Sequence, residues 1–158
     1  MPLKPTTKRK GKRRKSTTAP EQEISLAGFR KTVWNICSRY VRLRDCLKTT
    51  GTKEWGHCVT CGKLYHYKKL QAGHFTSGRV DAVLFEESGI HAQCYRCNIE
   101  RSGEWPTYYR FMQNEYGQDE IERLVALSLS DVPLTGIQLR DLFIRFKTGV
   151  HRLENLTL

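Results

Sequence analysis

Two short cysteine motifs decide the fold of this chain: Cys-Val-Thr-Cys at residues 58–61 and Cys-Tyr-Arg-Cys at residues 94–97. A gap of two residues lets both sulfurs of a motif turn towards one ion, and two motifs complete a tetrahedral shell of thiolates. Gly62 directly follows the first motif and suits the tight turn that this geometry needs. A closed shell has no position for water, so we predict one structural zinc ion. Its predicted ligands are Cys58, Cys61, Cys94 and Cys97, with disulfides or thioredoxin-type redox chemistry as the alternatives.

The composition is typical of one ordinary domain. The chain has 158 residues, of which 39% are hydrophobic and 27% are charged, and this is enough apolar area for a single core. It contains no run of 18 apolar residues, so we expect no membrane-spanning helix. The N-terminus lacks the apolar segment of a secretory signal, so we expect a cytoplasmic protein with cysteines that are thiols or metal ligands.

The positive charge is concentrated near the N-terminus. The chain has 27 basic and 16 acidic side chains, a formal net charge of +11. Residues 1–20 hold eight basic residues and no acidic one, which leaves a net charge of +3 for the rest. We predict that residues 1–21 are a disordered tail that binds nucleic-acid phosphates; a spacer role or an anionic membrane surface is the alternative. The predicted DNA contacts in the tail are Lys8, Arg9, Lys10, Lys12, Arg13, Arg14 and Lys15.

Residues 22–158 are predicted to form one α+β domain, a small zinc-bearing β-hairpin unit inside a frame of helices. Apolar residues at spacings of three and four predict a helix over residues 24–48. Ser25 is its predicted N-cap, and Gly51 is its predicted stop. Cys37 and Cys46 lie on opposite sides of this helix, and we expect both to be small buried residues.

The predicted zinc-bearing core covers residues 52–104. Within it, Tyr65–Phe75 and Ala82–Phe85 are predicted to be two strands joined by a loop, and a helix is expected to begin near Cys94 or Tyr95. Residues 106–149 are predicted to be helical again, with Gly149 as the end of the last helix.

Two histidines and an asparagine accompany the cysteine motifs. His74 ends the first predicted strand, His91 precedes the predicted helix, and Asn98 lies on the first turn of that helix. A neutral imidazole can deprotonate water, and a hard divalent cation can offset charge on a leaving oxygen. We therefore predict phosphodiester hydrolysis at these residues. For each histidine, a surface position or a hydrogen-bonded core position is the alternative.

The order of these motifs resembles one known family. The segments are Cys58-x-x-Cys61-Gly62, Ala72-Gly73-His74-Phe75, Ile90-His91-Ala92-Gln93-Cys94-x-x-Cys97-Asn98 and Ser102-Gly103. Over roughly residues 58–117 they resemble the NinG/Rap recombination proteins of lambdoid phages. Those proteins look like divergent HNH (ββα-metal) endonucleases with a four-cysteine zinc knuckle. The resemblance implies an HNH-like ββα-metal unit framed by α-helices.

The resemblance also implies a function and residue roles. It implies a phage endonuclease that uses Mg²⁺ or Mn²⁺ to cut branched DNA, such as Holliday junctions and D-loops, during recombination in a bacterial host. His74 takes the place of the general base, Asn98 takes the place of a metal ligand, and His91 is a candidate to complete the metal or phosphate site. A symmetric homodimer would suit cuts on two strands of a junction, and phage recombinases are candidate partners.

Two positions depart from the usual HNH pattern. Gly73 stands where HNH enzymes usually have a metal-binding aspartate, although NinG-type chains share this glycine. Gly89 stands near the place of the middle asparagine, which leaves the orientation of the base histidine open. Glu86 or Glu87 is a candidate for the missing carboxylate, with a solvated acidic surface as the alternative.

The remaining predictions concern DNA contacts and rival functions. Arg79, Arg96 and Arg101 are predicted to flank the site and to clamp phosphates. The departures at Gly73 and Gly89 favour a rival: a non-catalytic zinc-knuckle accessory protein that binds nucleic acid in recombination. A third hypothesis, an RNA-directed zinc ribbon, explains the charge and the cysteines but gives the histidines no role.

Overall fold

The computed structural model describes residues 25–76 and 80–157. The basic tail and Arg79 lie outside the described residues. Five α-helices and four short strands make up the fold: α1 (Leu26–Thr50), β1 (Trp55–His57), β2 (Leu64–His66), β3 (Leu70–His74), α2 (Asp81–Leu84), β4 (Ile90–Cys94), α3 (Trp105–Tyr116), α4 (Gln118–Ser128) and α5 (Gly136–Glu154). Single helical turns cover Tyr67–Lys69, Glu87–Gly89 and Arg96–Glu100. In the described part of the chain, no helix is both long and apolar enough to cross a bilayer.

The strands form two separate antiparallel pairs, and the mixed α+β class is confirmed. β1 pairs with β2, and β3 pairs with β4 in a register that places Gly73 opposite His91 and His74 opposite Ile90. The β3–β4 pair and the helical turn Arg96–Glu100 form the ββα-like centre of the molecule. Helices α1 and α5 cover one face of this centre, where a core cluster joins Val33 and Val41 to Ile90 and Phe146.

The first helix confirms its predicted caps. The Ser25 hydroxyl accepts a hydrogen bond from the Gly28 amide at 3.2 Å, and Gly51 ends the helix in the left-handed conformation with φ +71°. The helix runs two residues beyond the predicted end. Cys37 and Cys46 are both fully buried, as expected.

The predicted second strand is wrong. Asp81–Leu84 forms a short helix, and the partner of β3 is Ile90–Cys94. The Asp81 carboxylate accepts the Leu134 amide at 2.8 Å and forms an ion pair with Arg30, which docks this segment onto the helices. Ile90–Cys94 alternates apolar and polar residues, and all five are buried because His91 and Gln93 also pack inside the molecule.

Two other predicted boundaries also change. Tyr65–Phe75 is interrupted by a helical turn, because the His66 ring caps this turn by accepting the Lys68 amide. Helix α5 continues through Gly149 to Glu154. A Cβ at position 149 would lie 2.8 Å from the Tyr40 ring of α1, so this glycine lets the two helices approach closely and does not end α5.

The free edge of β4 is held by the end of α1 and by the first cysteine motif. Arg44 donates to the Ile90 carbonyl at 2.6 Å, and the buried Asp45 carboxylate accepts the Ala92 amide at 2.6 Å. The Val59 amide donates to the Ala92 carbonyl at 2.9 Å. Because a strand edge without partners leaves polar groups exposed or unsatisfied, these bonds fix β4 against α1.

We expect Asp45→Ala to destabilise the protein by about 3 kcal/mol, because the substitution leaves the buried Ala92 amide without its acceptor and Arg44 without its carboxylate partner. The change is measured by urea unfolding followed by circular dichroism. The matched control is Glu115→Ala, which removes an exposed ion pair with Lys48 and should cost less than about 1 kcal/mol. Equal losses in the two variants would contradict a structural role for the Asp45 contact.

Candidate functional site

Four cysteines converge in the way that the sequence predicts. Their ligand atoms all lie within 4.8 Å of one another. The first motif closes through a tight turn, in which the Gly62 amide donates to the Cys58 carbonyl at 2.9 Å and Gly62 has φ +67°. The second motif leads from the end of β4 into the turn Arg96–Glu100. Four thiolates in this arrangement can hold a metal ion such as zinc.

Within the cluster, Cys94 is the thiol whose pKa is lowered, whereas burial raises the pKa of Cys61 and raises that of Cys97 to about 12. Burial opposes ionisation of Cys94, but donation from the Cys97 amide and the Tyr65 hydroxyl outweighs it and lowers the pKa of the Cys94 thiol to about 7. At Cys37, burial and the nearby Glu87 carboxylate raise the pKa to about 12, and at Cys46 burial and Asp45 raise it to about 11. Cys37 and Cys46 therefore stay protonated and serve as packing residues.

His74 is held in place from two sides. Its ring stacks on Trp34 of α1, with centroids 4.9 Å apart and planes 19° from parallel. Its Nε2 lies 3.1 Å from the Leu84 carbonyl oxygen. A carbonyl can only accept a hydrogen bond, so Nε2 carries the proton in the neutral ring and Nδ1 is the basic nitrogen. The Leu84 carbonyl thus orients the His74 ring, although Gly89 stands near the place of the middle HNH asparagine.

A small cavity lies beside His74. Its volume is about 110 Å³, and it is lined by His74, Phe75, Thr76, Ser102, Gly103, Trp105 and Tyr108. Its wall includes a strained loop, because Ser102, Gly103 and Glu104 all have positive φ, at 49°, 87° and 53°. The Gly103 amide holds this loop by donating to the carbonyls of Cys97 and Asn98. Strain of this kind in non-glycine residues is concentrated at functional sites.

Asn98 lies against Gly73, the residue that precedes His74 in β3. Its Nδ2 donates to Gln71 Oε1 at 2.8 Å. A Cβ at position 73 would lie 2.9 Å from Asn98 Oδ1 and only 2.0 Å from Gln93 Oε1. A side chain at position 73 is therefore compatible with the present Gln93 position only if Gln93 shifts, and the glycine leaves this space to the Gln93 amide.

His91 occupies the hydrogen-bonded core position that the sequence left as an alternative. Its Nδ1 lies 3.0 Å from the Tyr108 hydroxyl and its Nε2 lies 2.9 Å from the Tyr116 hydroxyl. The Tyr108 hydroxyl donates to the Gly73 carbonyl, so Nδ1 donates to Tyr108 and Nε2 accepts from Tyr116. Burial and the nearby Arg44 lower the pKa of His91 to about 2, so the ring is neutral. The bonds to the two hydroxyls occupy both nitrogens, and the structure does not bring the ring to His74.

The acidic candidates and the described arginines lie elsewhere. Glu86 forms an ion pair with Arg123 at 2.7 Å, and Glu87 forms an ion pair with Arg145, so neither carboxylate fills the space at Gly73. Arg96 and Arg101 line a cavity of about 130 Å³ together with Cys61, Lys63, Tyr65, Cys94 and Cys97. Both arginines therefore lie beside the cysteine cluster.

Sequence reasoning missed three contributors to this site: Trp34, the Leu84 carbonyl and Gln93. Backbone carbonyls leave no trace in a sequence, and Trp34 belongs to a helix whose apolar pattern is complete without it. Gln93 did carry a signal, because it is a polar residue directly before the predicted ligand Cys94.

We expect one zinc ion per chain, and Cys97→Ser should weaken zinc binding by more than the ~10–100-fold typical of losing an outer-shell partner. A competition titration with a chromogenic chelator measures this affinity. Cys37→Ala is the matched control, because Cys37 is a buried cysteine outside the cluster. The assignment fails if the two variants lose zinc to the same extent.

His91 predicts a pH dependence of stability. The unfolded chain protonates this residue below pH 6.5, whereas the folded chain does so only near pH 2. The folded state therefore loses stability as the pH falls through 6.5. Between pH 7 and pH 5, we expect the wild type to lose about 2 kcal/mol more than His91→Gln. Urea unfolding at the two pH values measures the difference, and parallel losses would show that His91 is not buried in its neutral form.

Comparison with known proteins places the chain in a family. The family model described as Bacteriophage Lambda NinG protein matches residues 4–155. Protein ninG of Escherichia phage 933W is 32% identical over 68 residues, and protein ninG of Escherichia phage lambda is 31% identical over 68 residues. Each alignment covers 42% of this chain and 33% of the relative, so the matched segment spans a third of these proteins. No solved structure gives a significant match. Because the family model covers nearly the whole chain, the chain belongs to the NinG family.

Proposed function

We propose that this chain is a metal-dependent endonuclease that cuts branched DNA during phage recombination in the cytoplasm of a bacterial host. The observation that carries this proposal is the placement of His74. Stacking on Trp34 and a hydrogen bond to the Leu84 carbonyl fix the ring, with Nδ1 as the basic nitrogen, beside a cavity of about 110 Å³. A fixed neutral imidazole next to an open cavity is suited to general-base chemistry.

In this mechanism, His74 Nδ1 accepts a proton from the attacking water while the Leu84 carbonyl holds the opposite ring nitrogen. Asn98 Oδ1 makes no hydrogen bond within the described residues and is a hard oxygen donor that fits Mg²⁺ or Mn²⁺. When bound there, such an ion offsets the charge on the leaving oxygen. His91 has no part in the chemistry; it supports the β3 backbone through Tyr108 and Gly73.

A path for DNA phosphates leads to His74 along α1. Arg30 and Lys31 line a cavity of about 190 Å³ together with Ala27, Trp34 and Leu84. Trp34 and Leu84 are also the residues that orient His74, so this basic surface adjoins the proposed base. The tail with its eight basic residues precedes α1 directly in the chain, and each phosphate contact it makes adds salt-sensitive affinity.

A preference for branched DNA is supported by Trp105. This side chain is 56% exposed and lines the same cavity as His74. Junctions and D-loops offer unpaired bases, and an exposed indole can stack on any of them.

The proposal includes a homodimer, and the apolar face of α1 is not available for its interface. Residues of that face, such as Val33 and Val41, are fully buried against α5 and the β3–β4 pair. A dimer that cuts two strands would need another surface, and the same holds for any contact with a phage recombinase.

A second candidate function is a non-catalytic recombination accessory that binds nucleic acid through its zinc-knuckle fold. The observation that favours it is the glycine at position 73, which leaves no carboxylate next to His74 and Asn98. Both functions predict zinc binding and DNA binding, and only the nuclease predicts DNA cleavage.

We expect His74→Ala to lower the rate of junction cleavage ~10²–10⁴-fold, because the substitution removes the general base. The assay uses a labelled four-way junction and a matched linear duplex, with Mg²⁺ or Mn²⁺ against EDTA. Binding of the junction, measured by gel shift in EDTA, should remain unchanged.

His66→Ala is the matched control, because His66 lies on β2 and is not among the residues that line the cavity beside His74. This variant should cleave like the wild type. Tight junction binding without cleavage under any metal would exclude the nuclease and leave the accessory function.

A further inference from the structure

The amide of Gln93 is buried with only one of its two ends satisfied. The residue is 0% exposed. Its Nε2 donates to the Gly103 carbonyl at 2.9 Å and to the Thr60 hydroxyl at 3.3 Å. The Gly103 carbonyl can only accept, so the group facing it must be the NH₂ end. The other end, Oε1, is buried and makes no hydrogen bond within the described residues.

The unsatisfied Gln93 Oε1 and a second oxygen, Asn98 Oδ1, both lie beside Gly73. A Cβ on Gly73 would lie 2.0 Å from Gln93 Oε1 and 2.9 Å from Asn98 Oδ1, so both oxygens lie over the backbone of this glycine. The Asn98 NH₂ group is turned away, because it donates to Gln71. Two amide oxygens without a donor between them repel each other, and a buried acceptor without a partner is costly.

We propose that Gln93 and Asn98 together ligate the divalent cation of this protein, with Gln93 Oε1 in the place of the missing aspartate. This inference rests on the proposed nuclease function. A hard cation is the ligand that two convergent side-chain oxygens select. The glycine at position 73 is then part of the site, because its missing side chain leaves the space into which Gln93 reaches from β4.

The charge of the two ligands sets how the ion binds. Both are neutral, whereas magnesium sites in proteins normally combine one or two carboxylates with phosphate oxygens. The free protein should therefore hold Mg²⁺ or Mn²⁺ weakly, and the scissile phosphate should supply the missing negative charge. The cation arrives with the DNA, and binding of either one strengthens binding of the other.

The cysteine cluster holds the Gln93 amide in this orientation. Gln93 donates to the Thr60 hydroxyl, which lies 3.3 Å from Cys58 Sγ and is left to donate to that sulfur. Because Cys58 is one of the four clustered ligands, the bound zinc fixes Thr60, and Thr60 helps to aim the oxygen of Gln93.

The test measures Mn²⁺ binding directly, by the loss of the free-ion signal in electron paramagnetic resonance. The full zinc-loaded chain carries His74→Ala to prevent cleavage, and it is titrated with and without a four-way junction. Adding Gln93→Leu removes the oxygen at similar size and should weaken Mn²⁺ binding in the DNA complex at least ~10-fold. Gln93→Glu adds a carboxylate and should tighten binding in the free protein. Gln113→Leu, at an exposed glutamine of α3, is the matched control and should change neither value.

An exchange of ligands keeps the inference testable if Gln93→Leu fails to fold. Gly73→Asp alone should be less stable than the parent chain, because the Gln93 side chain must shift to admit the new one. Gly73→Asp combined with Gln93→Ala places a carboxylate in the space that the amide vacates. This pair should fold, retain zinc and bind Mn²⁺ more tightly than the parent chain.

The outcomes separate this inference from the proposed function. Mn²⁺ binding that is unchanged by Gln93→Leu overturns the inference, as does a folded exchange variant that does not bind Mn²⁺. The nuclease stands in both cases if the chain with His74 intact cleaves junctions. If that chain does not cleave but Mn²⁺ binding depends on Gln93, the metal site stands and the nuclease function fails. If the chain carrying His74→Ala does not bind Mn²⁺ even with the junction, the site is absent.

Discussion

The structure depends on how the free edge of β4 is satisfied. This strand has a partner on one side only, and the polar groups on its other side are bonded to the end of α1 and to the first cysteine motif. Arg44 donates to the Ile90 carbonyl, and Asp45 accepts the Ala92 amide. Cys58 Sγ accepts the Cys94 amide at 3.3 Å. An edge satisfied by a helix and a metal knuckle cannot slide in register. Because Gly73 and His74 pair with β4, the fixed register of this strand also sets their positions.

Much of the fold was readable because its signals are local. The caps of α1 depend on Ser25 and Gly51 alone, and the cysteine cluster follows from motif spacing. The position of β4 had a signal in its alternation of apolar and polar residues, but the continuous apolar run Ala82–Phe85 lies nearer to β3 in the chain and also looks like a strand. The predicted end of α5 at Gly149 is wrong because a glycine that lets Tyr40 of a neighbouring helix approach looks the same in sequence as one that ends a helix.

The candidate site, too, is only partly predictable from the sequence. The residue type of His74 suggests its proposed role, but the groups that orient the ring are a backbone carbonyl and a tryptophan of α1. His91 had the same residue type and a similar place in the motif, yet burial between Tyr108 and Tyr116 makes it a neutral core residue. Residue type and spacing cannot separate these two cases, because the difference lies in which face of the sheet each ring occupies.

The glycine at position 73, where HNH enzymes usually have an aspartate, is sterically linked to Gln93. Once Gln93 reaches from β4 into the space beside Asn98, a side chain at position 73 has no room, and once residue 73 is glycine, that space would be empty without Gln93. Gly73 and Gln93 therefore fit each other in this arrangement. Thr60 connects the pair to Cys58, so the cysteine cluster does more than close the fold. Through Thr60, it also holds the amide whose buried oxygen lies beside Gly73.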